Sequence, residues 1–214
     1  MLSQHSDSLS PAVTDKPEQI LRGAIQVFLQ HGYAGTSMDR VAAEAGVSKH
    51  TIYNHFQGKE GLFIALIERL VLHRFDIEFP NCELPLDESP DRVLRRIAEI
   101  FLGLMDDPEY IAFLRLMIAE SGRFPDLAQL YMRQVVQEGD QVVGQYLRSH
   151  PQLKLADPEM TTRVFIGALV SFILGQEVLH EKHTNPIDKQ RFVENLVAIV
   201  LGQAAANPGS KTVA

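Results

Sequence analysis

The stretch Thr36-Ser37-Met38-Asp39-Arg40-Val41-Ala42-Ala43-Glu44-Ala45-Gly46-Val47-Ser48-Lys49-His50-Thr51-Ile52-Tyr53-Asn54-His55-Phe56 holds two short helical patterns separated by a three-residue corner. Thr36 and Asp39 have the spacing of a capping box, in which side chains satisfy the free backbone donors of a helix start, so a helix is expected to open near Ser37. Met38, Val41, Ala42 and Ala45 then recur on one face as a buried stripe. Gly46 tolerates positive φ, Val47 plugs the corner, and Ser48 is placed to cap a further helix running to about Phe56. A turn this short between two helices is the helix-turn-helix arrangement, whose second helix can enter a major groove. Ala42, Ala43, Ala45 and Gly46 are small enough for those two helices to approach closely.

Upstream, Ile20, Leu21, Ala24, Ile25 and Phe28 share a face of a helix from about Pro17 to His31, which Gly32 ends. On the candidate reading helix, Ile52 and Phe56 face the core, while Lys49, His50, Thr51, Tyr53, Asn54 and His55 carry polar tips that project elsewhere. Lysine can donate to guanine O6 and N7, asparagine can pair with adenine N6 and N7, and a threonine methyl can pack on a thymine methyl. Lys59 adds a cation whose long stem can reach a phosphate. A solvated helix face is the plain alternative for such a polar run, and Tyr53 beside Phe56 is equally readable as half core.

The order Gly46-Val47-Ser48-Lys49, Thr51-Ile52-Tyr53-Asn54-His55-Phe56 and Lys59-Glu60-Gly61-Leu62 resembles the signature of the TetR/AcrR family of bacterial transcriptional regulators across residues 17 to 70. Leu116-Met117-Ile118-Ala119-Glu120 and Arg123-Phe124-Pro125-Asp126-Leu127 resemble the C-terminal domain of its AefR-like members. The resemblance implies an all-α homodimer whose N-terminal domains bind a palindromic operator and whose C-terminal domains bind a small effector. It places Thr36 on a phosphate, Lys49, His50, Thr51 and Asn54 on bases, and Tyr53, His55 and Lys59 on further phosphates, with Ser48 at the helix start. His50 departs from the small residue common at its position, which leaves the base code open.

The net charge of −7 is unevenly spread: residues 1 to 75 hold seven Lys/Arg and seven Asp/Glu, so the excess acid lies entirely in the remainder. A neutral reading head on an acidic body is expected to bind random DNA weakly and to depend on base contacts and on having two heads. Cys82 is the sole cysteine, which excludes an intrachain disulfide and fits a reducing cytoplasm, and the neighbouring Glu83 argues against a redox sensor. Residues 1 to 14, rich in serine, and 204 to 214, with glycine and proline, read as tails; 15 to 62 form the DNA-binding domain, and 63 to 203 the effector-binding and dimerisation domain. The longest apolar stretch, Val164 to Leu174, is interrupted by Gly167 and Ser171 and falls short of the roughly 20 residues that span a bilayer. No membrane partner is expected.

Helices are expected at about 59–79, 91–105, 108–120, 125–149, 158–181 and 186–203, the later ones opening near prolines, with a loop over 80–90. Phe101, Met105, Phe113, Met117 and Tyr131 are candidates for an adaptable effector pocket, although filled core is the simpler reading of each. Phe165, Leu169, Phe172 and Ile173 on one late helix and Phe192, Leu196 and Val200 on the next are candidates for a four-helix dimer interface. Catalytic loops are missing: no Gly-x-Ser-x-Gly, Gly-x-Gly-x-x-Gly or phosphate-loop pattern occurs. His180-Glu181-Lys182-His183 fails the His-Glu-x-x-His spacing of a zinc protease. Neither an enzyme nor a cofactor or metal is expected; the competing class is a helical interaction module without DNA binding.

Overall fold

The computed structural model describes residues 15–202 and is all-helical, with no strand among the described residues. The two expected tails, and Gln203, lie outside the described residues, as does the Cys82 side chain. The chain divides into two compact units, parting between Leu62 and Phe63.

The first unit contains α1 (Lys16–Gly35), α2 (Met38–Ala45), α3 (Lys49–Phe56) and the start of α4 (Lys59–Ile67). Gly32, at φ 68°, interrupts α1 where the sequence places its end. Ile20, Ala24, Ile25, Phe28, Val41 and Ile52 are fully buried and make the core on which the three short helices rest. The α1–α2 pair is the tightest: a Cβ at Gly23 would lie 2.8 Å from the Ala45 Cβ, and Gln19 Nε2 donates to the Ala45 carbonyl at 2.6 Å. Small residues thus act between α1 and α2, and Ala43, expected at the α2–α3 approach, is exposed.

In the second unit, α4 passes through a π-helical turn (Glu68–Leu72) into α5 (His73–Glu78), and a short turn at Pro80–Cys82 precedes irregular chain. Then come α6 (Pro90–Gly103), α7 (Pro108–Ser121), and α8 (Pro125–Tyr131), which runs through a second π-helical turn (Met132–Gln137) into α9 (Glu138–Arg148). The last helices are α10 (Pro158–Ile173), which continues through Leu174–Val178, and α11 (Lys189–Val200). Prolines occupy the first turns of α6, α7, α8 and α10, where no amide donor is lost. Asp107 and Asp157 cap α7 and α10. Pro186 differs: α11 opens at Lys189, because Asp188 accepts from the Arg191 amide and fixes the start there.

By length and composition, Pro158–Val178 is long and apolar enough to cross a membrane, contrary to the shorter span read from its apolar residues alone. One face, including Thr162, Phe165, Leu169, Phe172 and Gln176, is buried in the unit, as expected of a core helix. The α4–α5 helix is pinned to the start of α7 by Arg69–Glu109 at 2.9 Å and Arg74–Asp107 at 2.7 Å. Arg96 holds both ends of the irregular segment, at Glu78 (2.7 Å) and Glu88 (2.9 Å), and covers the Phe79 ring.

Candidate nucleic-acid interface and ligand cavity

The reading helix is fixed at its first residue. Ser48, at an extended ψ of 149°, accepts from the Thr51 amide at 3.0 Å, and its hydroxyl also meets that of Thr51 at 2.8 Å. Gly46 sits in the left-handed region at φ 63°, and the Val47 amide returns to the Ala42 carbonyl, which sharpens the corner. Ile52 is buried and Phe56 half-buried, so the opposite side of α3 faces solvent with Lys49, His50, Asn54 and His55 exposed and Tyr53 45% exposed. Thr51 is half-buried beside its cap. Tyr53 therefore stands on the polar face and not in the core.

Three contacts differ from the sequence expectation. The cap of α2 is Ser37, which accepts from the Arg40 amide, and not Thr36; the two residues lie side by side and only the former has the required offset. Thr36 is 4% exposed, and its hydroxyl donates to the Gly32 carbonyl at 2.8 Å, closing the break in α1. Lys59, expected to extend toward a phosphate, donates to the carbonyls of Tyr33 at 2.7 Å and Thr36 at 3.1 Å, with its ammonium 4.5 Å from the Tyr33 ring centroid. Those carbonyls lie beyond the break in α1; that of Tyr33 also accepts from the Thr36 amide at 3.4 Å, and Lys59 adds a shorter bond to it. Burial, with the charge of Glu60 second, raises the Tyr33 pKa. Lys49 is paired across the corner with Asp39 of α2 at 2.9 Å, and that hydrogen bond and charge raise its pKa.

The second unit contains an apolar cavity of about 90 Å³ among α5, α6, α9 and α10. Of the five candidate pocket residues, Phe101 alone lines it. Phe113 is fully buried and packs on Phe63 at 4.9 Å, Met105 and Met117 are core, and Tyr131 hydrogen-bonds with Tyr110. Burial drives the phenol pKa of Tyr131 well above its ordinary value. The lining missed by sequence reading comprises chiefly Val71, Phe75, Phe79, Ile97, Val135 and Val143. Periodicity marks these as buried, but gives no sign of which interhelical gap is left unfilled. Two of the three π-helical turns among the described residues, Glu68–Leu72 and Met132–Gln137, contribute to this wall, whereas the third, Leu174–Val178, does not; such turns recur at functional sites. Glu138 supplies the one charged side chain of the lining.

The candidate dimer residues are placed mostly inside the protomer. Phe165, Leu169, Phe172, Ile173, Leu196 and Val200 are buried, and half-buried Phe192 packs at a tilt on Phe172, with ring centroids 4.2 Å apart. They belong to the core joining α10 to α11; the large exposed apolar side chains on the same helices are Met160, Val164 (61%), Val170 and Ile199 (68%). The His180–His183 segment is a separate turn, entered through a left-handed His180, with Arg115 donating to the preceding Glu177 carbonyl.

Residues 20–66 match the profile described as bacterial regulatory proteins, tetR family, and residues 92–203 match that of the AefR-like transcriptional repressor C-terminal domain. The chain belongs to the TetR family. This TetR-family chain is 27% identical over 202 residues to the uncharacterized HTH-type transcriptional regulator YhgD of Bacillus subtilis, covering 90% of this chain and 98% of that one. The solved structure of the flavonoid-responsive regulator FrrA aligns with a TM-score of 0.64 at 27% identity, over 89% of this chain and 98% of that one. The fold is shared with the FadR regulator from Bacillus subtilis solved with stearoyl-CoA, at a TM-score of 0.67, 16% identity and 87% and 98% coverage. The protein is a DNA-binding transcriptional regulator and not an enzyme.

Proposed function

We propose that this regulator is a cytoplasmic homodimeric repressor that binds a palindromic operator and is released by a small, mostly apolar effector. The observation that carries the reading is the α3 face: a capped, glycine-cornered helix, anchored by fully buried Ile52, that presents Lys49, His50, Tyr53, Asn54 and His55 outward. These residues, with Thr51 and Ser48 at the helix start, supply base and phosphate contacts. With Thr36 and Lys59 engaged in holding the end of α1, their part is to set the angle of the fold beneath the reader.

The dimer is formed by the outward apolar side chains of α10 and α11, Val164, Val170 and Ile199, over the buried layer that contains Phe165 and Leu196. The effector enters the cavity lined by Phe75, Phe101 and Val143. FrrA, named as flavonoid-responsive, supports a ligand-responsive reading at 27% identity. A volume of about 90 Å³ is small beside the roughly 300–1,000 Å³ of ordinary ligand sites, so an effector must displace helices as it enters. Helix α5 is among those walls and is continuous with α4 through the π-helical turn, which gives the displacement a backbone route. The differential affinity of ligand for the displaced and undisplaced states sets the extent of release.

The test is selection of bound duplexes from a random-sequence pool, followed by fluorescence-anisotropy titration of the protein and of a Lys49→Ala, Tyr53→Ala variant. Recovery of a two-fold symmetric site whose binding is lost in the variant, with the dimer retained, is the expected result. Failure to enrich any site would sink the reading and leave a helical interaction module.

A further inference from the structure

The first unit is unusual for a DNA reader in its charge. Between residues 15 and 62 the five Lys/Arg are balanced by five Asp/Glu. Each cation already has a partner: Lys16 donates to Gln19, Arg22 pairs with Glu18, Arg40 donates to the Gly35 carbonyl, Lys59 holds two carbonyls, and Lys49 pairs with Asp39. Lys49 is the only Lys or Arg on α3, so the reading helix presents no uncompensated cation of that kind. Asp39 is neither the cap of α2 nor part of its buried stripe; its side chain is 74% exposed and accepts from a side chain ten residues on, across the corner.

An ammonium has three donors, and the Asp39 carboxylate uses one of them. Two remain, which is the number that guanine O6 and N7 accept in the major groove. A phosphate, by contrast, attracts a cation chiefly through net charge and counterion release, and a neutral Lys–Asp pair offers little of either. We propose that Asp39 is a specificity-determining residue: its carboxylate holds Lys49 as a neutral, oriented donor pair that recognises guanine and is refused by the phosphate backbone. The pair enters the groove intact. This rests on α3 being the reading helix.

The experiment compares wild type, Asp39→Asn, Lys49→Ala and the double variant on a random-sequence duplex pool and on the selected operator, across about 50–200 mM salt. Circular dichroism first checks that each is folded; both positions are exposed. Asp39→Asn is expected to steepen the salt slope on random duplexes by about 0.9 per protomer, one added phosphate contact, which is roughly a threefold larger loss of affinity across that range. The ratio of operator to random affinity is expected to fall, and discrimination at one guanine per half-site to relax. In the Lys49→Ala background the slope gain is expected to vanish. An unchanged slope in Asp39→Asn, or a gain of equal size without Lys49, overturns the proposal while wild-type operator binding stands. Absence of wild-type binding to any duplex removes the reading of α3 and this assignment together.

Discussion

Lys59 and Lys49 illustrate how a single side chain acquires a role that composition does not assign. Both are lysines at or beside the reading helix, yet one donates to backbone carbonyls 26 and 23 residues away and the other pairs with a carboxylate. Tyr146 is a second case. It is 2% exposed, donates to the Glu88 carbonyl at 3.0 Å and meets the His150 ring at a tilt, with centroids 4.4 Å apart. Burial first, and the Glu88 charge second, push its pKa from 10.0 up to about 12. The folded state therefore keeps the phenol proton longer than the unfolded chain does, so this contribution is fully present below about pH 10 and is lost as pH rises through about 12. Thermal melts across that window should show wild type losing stability on the order of 2 kcal/mol more steeply than Tyr146→Phe. Equal slopes for the two proteins would count against Tyr146 as the source.

Elements show where local and non-local causes part. The start of α3 follows from Ser48, the corner from Gly46 and the break in α1 from Gly32, each acting within a few residues. The π-helical turns at Glu68–Leu72 and Met132–Gln137 have no such local signature, and they contribute Val71, Leu72 and Val135 to the cavity wall. Gly139, on α9, lines the same cavity, and a Cβ built there meets nothing within 4 Å. Gly139→Leu should therefore extend a side chain into the cavity from a position with room for its Cβ, while also gaining helix propensity of about 1 kcal/mol over glycine. Operator binding is expected to persist, and displacement by any effector found in a screen of apolar compounds is expected to disappear, as read by anisotropy. A Gly139→Leu protein that still released DNA at wild-type effector concentration would place the effector elsewhere.

At the scale of the molecule, burial separates cohesion of the protomer from assembly. Ile199 is 68% exposed, whereas Phe165, on the neighbouring helix, is fully buried. Ile199→Glu is expected to leave the thermal transition of the protomer nearly unchanged, yet yield monomers in sedimentation and lose operator affinity. Phe165→Ala should cost about 3–5 kcal/mol of stability through the cavity it leaves. If Ile199→Glu remained dimeric, the α10–α11 face would not be the interface. The amino-acid order alone was enough for the helices of the reading unit, its corner, the Ser48 cap of α3, the stripe Met38, Val41, Ala42 and Ala45, and the family signature from Gly46 to Leu62. These rest on hydrogen bonds and side-chain periods that close within one or two turns of chain. Three-dimensional packing was needed to show that Lys49 meets Asp39, that Phe101 lines the cavity while Phe113 packs on Phe63, and that Val164 and Ile199 face outward over buried Phe165 and Leu196. Periodicity gives the angle of a residue around its helix but not what lies opposite it. Unfilled gaps and outward faces are properties of how several helices pack at once.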